Sequence, residues 1–94
     1  MISEDPSDPF LFYALALEYE KEGEGKKCKE ILLEVREKFP EYDGVSYKLG
    51  QIFESEGDIE EALDEYARGK RIAENGGNQK ALREFSEAIL RLEE

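Results

Sequence analysis

The sequence predicts an all-α protein of five antiparallel helices. Three observations predict it: the chain repeats itself at a fixed spacing of 34 residues, glycines and prolines punctuate it at helix-length intervals, and apolar residues recur at helical spacing. Residues 9–42 lie over residues 43–76 without a gap. Tyr13 falls on Tyr47, Leu15 on Leu49, Tyr19 on Phe53, Glu20 on Glu54, Glu22 on Glu56 and Gly23 on Gly57. Size classes match as well: Ala16 over Gly50, Cys28 over Ala62, Leu32 over Tyr66.

The first helix opens at Asp8-Pro9, a capping aspartate followed by proline at the first helical position. Phe12, Leu15, Ala16 and Tyr19 share one face. Gly23 and Gly25 interrupt the chain, and a second helix is expected from Lys26 to Phe39, closed by Pro40. The third starts at Asp43, with Leu49, Gly50 and Phe53 inward. Gly57-Asp58 makes the next turn, and Asp58 with Glu61 has the spacing of a capping box. Ala62, Leu63, Tyr66 and Gly69 form the inward face of the fourth helix.

Continuing the 34-residue period into the tail would turn Lys80, Arg83, Glu84 and Glu87 inward, which is unphysical. Two extra residues in a turn at Asn75-Gly76-Gly77-Asn78 turn Leu82, Phe85, Ser86 and Ile89 inward instead. The last helix, expected over Gln79–Leu92, then covers the open end of the stack.

This spacing resembles the tetratricopeptide repeat over residues 9–76. The second repeat carries Leu49-Gly50, Phe53, Gly57-Asp58, Ala62, Tyr66 and Gly69; the first carries Phe12, Leu15-Ala16, Tyr19, Gly23, Cys28, Leu32, Val35 and Pro40. Small residues at Gly50 and Ala62 let two helices approach, and large ones fill beside them. Gly25, Lys29, Ser46 and Glu74 depart from the family pattern. The resemblance implies a right-handed solenoid of antiparallel helical hairpins in one domain: a leader over 1–8, repeats over 9–42 and 43–76, and a capping helix over 77–94.

Composition narrows the function. The 94 residues hold 24 acidic against 13 basic side chains, a net charge of −11. That excludes a basic stripe for nucleic acid and opposes an anionic membrane surface. The longest apolar run is too short to span a bilayer. Residues 1–6 carry no basic region and no apolar segment, so no signal peptide is expected there, and the expected compartment is the cytoplasm. With no histidine and a single cysteine, zinc sites and histidine-based catalysis are excluded, and no metal or other cofactor is expected. Cys28 holds the inward position of Ala62 and is expected to be buried and inert. Gly23-Glu24-Gly25-Lys26-Lys27 lacks the spacing of a phosphate loop. The chain therefore reads as a non-enzyme.

A surface remains. At about 100° per residue, Phe10, Tyr13 and Leu17 fall opposite the packing face of the first helix. Packing within a repeat leaves this second stripe unexplained. The corresponding side of the third helix carries Gly44, Tyr47, Lys48 and Gln51, and that of the last carries Lys80, Arg83 and Glu87. The resemblance implies that this side lines a concave groove for a partner peptide. The expected site is thus Phe10, Tyr13, Leu17, Tyr47, Lys48, Gln51, Lys80 and Arg83, with Tyr13 and Tyr47 lying off the packing face. Its aromatic part would hold an apolar anchor and its basic part an acidic group of a protein or peptide. Tyr13, Leu17 and Lys48 stand where some family members place the lysine and asparagines that clamp a carboxylate. Only Lys80 keeps the expected type, which argues against a clamp. The stripe has other readings: the leader with Ile2 folds over Phe10 and Tyr13, neighbouring side chains cover it, or a second copy does. The alternative function is structural self-association through the aromatic first helix, the chain being a monomer or a weak homodimer.

Overall fold

The computed structural model describes residues 8–94, so the leader reading, including Ile2, lies outside the described residues. Five helices follow in order: α1 Pro9–Lys21, α2 Gly25–Lys38, α3 Asp43–Ser55, α4 Ile59–Gly76 and α5 Gln79–Glu93. No strand occurs among the described residues, and the all-α prediction holds. The chain divides into two compact units, Met1–Pro40 and Glu41–Glu94.

In the first unit α1 and α2 form a helical hairpin. The Asp8 side chain accepts the Phe10 N–H at 2.9 Å, as the Asp-Pro step predicts. Gly23 closes α1 at φ 81°, a left-handed conformation that costs a glycine nothing. The Glu24 N–H then reaches back to the Tyr19 carbonyl at 2.8 Å. The second unit repeats this turn 34 residues later: Gly57 at φ 82°, and the Asp58 N–H on the Phe53 carbonyl at 2.9 Å. The repeat is therefore a repeat of backbone hydrogen bonds as well as of side chains.

Three details differ from the sequence expectation. Asp58 caps α4 by position only; its side chain makes no capping hydrogen bond, so the capping box does not form. The turn before α5 is shorter than expected. Asn75 and Gly76 belong to α4, which runs on because Glu74 stands where Pro40 ends the equivalent stretch. Only Gly77, at φ 69°, and Asn78 remain to turn the chain, and Asn78 caps α5 by accepting the Ala81 N–H at 3.1 Å. Finally, α5 is centred on Phe85 and Ala88, both buried, with Leu82, Ser86 and Ile89 half-buried on either side.

The core of the first unit holds Ala16, Cys28, Leu32 and Val35; that of the second holds Val45, Leu49, Phe53, Ala62, Tyr66, Ala73, Phe85 and Ala88. Leu63, expected inward, is only half-buried. Two glycines set the helix spacing in the second unit. A Cβ on Gly50 would overlap the Tyr66 ring, and one on Gly69 would overlap the Phe85 ring. Each large ring thus lies against bare backbone, so α3 meets α4, and α4 meets α5, at close range.

Candidate protein-interaction surface

In the second unit α3 and α5 run side by side in the same direction, tied at three levels. Near the start of both, Asn78 Nδ2 donates to Asp43 Oδ2 at 3.4 Å. Midway, the Tyr47 ring meets the Phe85 ring edge-on with centroids 5.4 Å apart. Near the end, Arg91 donates to both oxygens of Glu54, at 2.5 and 3.2 Å. The same carboxylate accepts the Tyr66 hydroxyl from α4 at 3.1 Å. Glu54 therefore joins all three helices of the unit.

The electrostatics follow from that geometry. The Arg91 hydrogen bond holds the Glu54 carboxyl below the ordinary carboxylate range. Burial, with the Glu54 carboxylate second, pushes the Tyr66 hydroxyl up to about 12. Tyr66 thus stays neutral, and its hydroxyl goes on donating to the Glu54 carboxylate. Gln51, Glu54, Ser55 and Arg91 line an open polar hollow of about 330 Å³.

The sequence-derived site residues fall into two sets. Phe10, Tyr13 and Leu17 belong to the first unit; Phe10 is 63% exposed, while Tyr13 and Leu17 are half-buried. Tyr47, Lys48, Gln51, Lys80 and Arg83 belong to the second. Gln51, Lys80 and Arg83 are exposed, and Lys48 is half-buried. Of these, Gln51 alone lines the polar hollow. Tyr47 departs from expectation. It packs against Tyr66 at 5.6 Å and against Phe85, so its ring is part of the seam between helices and does not lie off the packing face. The reason is α5: its half-repeat register brings Phe85 over Gly69, beside Tyr47.

Sequence reasoning missed Glu54, Tyr66 and Arg91 as one cluster. A signal was present. Tyr66 replaces Leu32 at a buried position, and a buried tyrosine hydroxyl demands a partner.

The chain matches no family model and no curated protein. Two solved structures are similar over nearly its whole length. The crystal structure of a tetratricopeptide repeat domain protein from Salinibacter ruber is 37% identical, with a TM-score of 0.85, over 92% of this chain and 96% of that one. The solution NMR structure of a tetratricopeptide repeat domain protein from Salinibacter ruber is 38% identical, with a TM-score of 0.89, over 95% of this chain and 90% of that one. This chain belongs to the tetratricopeptide repeat family.

Membership explains the paired small residues and the glycine turns, which serve hairpin packing. As in a tetratricopeptide repeat, Ala16 and Cys28 are both buried in the first unit, and Gly50 and Ala62 in the second. Among the described residues, no helix is long and apolar enough to cross a membrane, and no three metal-ligating side chains cluster.

Proposed function

We propose that this tetratricopeptide repeat protein is a non-catalytic, cytoplasmic interaction module that holds a peptide of a partner protein. The tetratricopeptide fold supports an interaction role in general terms. The observation that carries the finer reading is the pinned pair α3 and α5. Helices fixed at both ends and in the middle offer a preorganised surface, which lowers the ordering cost of binding. On it stand the exposed Lys80 and Arg83 of a molecule of net charge −11, together with Gln51 at the polar hollow. A local basic set in an anionic molecule favours an acidic group on the ligand. In the first unit, Phe10, Tyr13 and Leu17 form an apolar stripe of their own. Half-buried Tyr47 and Lys48 follow one another on α3. The organisation we assign is a leader over 1–8, repeats over 9–42 and 43–76, and a capping helix over 77–94.

The experiment is peptide display against the intact chain, followed by titration of an enriched acidic peptide and of its amide-neutralised form. Lys80→Glu and Arg83→Glu should weaken binding of the acidic form through slower association, with the loss fading at high salt. Folded variants that bind like the parent at low salt would rule out this surface.

A further inference from the structure

The pinned pair α3 and α5 also encloses a hollow whose chemistry differs from that of Lys80 and Arg83. Its walls are Gln51, Glu54 and Ser55 of α3 and Arg91 of α5. Glu54 and Arg91 are an ion pair, with the Arg91 side chain 55% exposed. The Arg91 hydrogen bond favours the ionised form of the Glu54 carboxyl, and a guanidinium keeps its charge throughout the neutral range. One positive and one negative group therefore line the hollow, and they cancel.

The hydrogen-bonding capacity of the walls is mixed. A guanidinium has more N–H donors than one carboxylate takes up, so Arg91 remains a donor after its fork onto Glu54. That fork also fixes the plane of the guanidinium, which preorganises the donors left over. The Ser55 hydroxyl donates to the Ile52 carbonyl at 2.8 Å, so its oxygen can only accept. Gln51 is exposed, and its carboxamide brings both an acceptor and an NH2 group. Charged ligands fit this set poorly. A carboxylate would meet Glu54 as a like charge and compete with it for Arg91; an ammonium would meet Arg91 as a like charge. A neutral group with one carbonyl and two N–H donors matches the walls. Its oxygen accepts from Arg91 or Gln51, and its N–H groups donate to Ser55 and Gln51. A primary carboxamide is such a group, whereas a peptide bond offers a single N–H.

Helix geometry sets where such a group sits in a ligand. At a rise of about 1.5 Å per residue, Lys80 and Arg83 lie roughly 17 and 12 Å from Arg91 along α5. An extended peptide covers about 3.3 Å per residue, so roughly four or five residues bridge that distance. We propose that the hollow of Gln51, Ser55 and Arg91 recognises the side-chain carboxamide of an asparagine or glutamine in the bound peptide. That residue stands roughly four or five positions from the acidic residue attracted by Lys80 and Arg83. The inference rests on the peptide-binding reading and adds to it a selectivity that the basic pair alone does not supply. Glu54 acts here as a positioning residue, holding Arg91 in place and keeping the hollow neutral.

Display of random peptides against the intact chain tests it, with circular dichroism as the folding control for each variant. Acidic peptides that bind should carry asparagine or glutamine at that distance from their aspartate or glutamate. In the resynthesised peptide, replacing the carboxamide residue by leucine, or by its acidic counterpart, should weaken binding about tenfold, the equivalent of one or two hydrogen bonds. Gln51→Ala and Ser55→Ala, both at exposed positions, should lose that preference. Each should bind the carboxamide peptide more weakly than the parent does and the leucine peptide equally well. Acidic peptides that respond to Lys80→Glu but show no carboxamide preference overturn this inference and leave the peptide-binding reading standing. A peptide whose acidic counterpart binds as tightly as the carboxamide form also overturns it, since the hollow then accepts a charge. So does a preference that survives both Gln51→Ala and Ser55→Ala, which places the carboxamide elsewhere. A library from which no acidic peptide is enriched overturns both readings.

Discussion

The Tyr66 hydroxyl donates to Glu54 Oε1 at 3.1 Å, and Tyr66 is wholly buried. Burial first, and then the Glu54 carboxylate beside it, push that hydroxyl up to about 12. In the unfolded chain a tyrosine ionises near 10. The stabilisation is therefore complete below the unfolded value and falls as pH rises from there through the folded one. Stability should drop between those limits by up to about 1.4 kcal/mol per pH unit. Tyr66→Phe should cost about 1 kcal/mol at neutral pH and flatten that alkaline slope. Denaturant unfolding of both proteins across the alkaline range checks it; equal slopes would discount the Tyr66–Glu54 bond.

Glycine is required at two helix contacts. Gly50→Ala must displace the Tyr66 ring and Gly69→Ala the Phe85 ring. Each should destabilise by about 1–3 kcal/mol through overpacking, and Gly50→Leu by more. Gly25→Ala is the control, since a Cβ there meets nothing within 4 Å. Thermal or urea unfolding should separate the first two variants from the control.

Tyr47→Ala should lower stability. The ring packs on both Tyr66 and Phe85, and aromatic pairs contribute about 0.5–1.5 kcal/mol each beyond their buried area. Phe10→Ala, at a residue 63% exposed, should stay within about 0.5 kcal/mol of the parent. Unfolding curves of the two variants test this directly. A binding defect in Tyr47→Ala therefore reports on the groove only if its folding is first shown intact.

Cys28 is fully buried at the α1–α2 contact. Its thiol should react with a disulfide reagent far more slowly in the native protein than in denaturant. The labelling rate should follow the opening of the first unit, so a variant destabilised only in the second unit, such as Gly69→Ala, shows whether the two units open together.

Much of the fold was legible because it rests on local chemistry. Asp8-Pro9 starts a helix, Gly23 and Gly57 take the left-handed turn, and Ala16, Cys28, Gly50 and Ala62 mark where helices approach. Each is a property of one residue type at one position, and the 34-residue repeat wrote it twice. The Asn75–Asn78 turn was misjudged because continuing a helix through Gly76 is a balance of small energies. There the absence of a proline outweighed the weak preference of asparagine and glycine against helix.

The sequence by itself determined the five helices, the glycine turns at Gly23 and Gly57 and the small residues at the helix contacts. All of these follow from backbone sterics, helical periodicity and composition. Tertiary structure alone decided which side chains meet across helices. It placed Tyr47 in the seam with Phe85 and brought Arg91 and Tyr66 onto Glu54. A helical wheel gives directions around one axis. Distances between residues some 35 positions apart depend on how α5 settles against α3 and α4, and that is set by Phe85 lying on the bare backbone of Gly69.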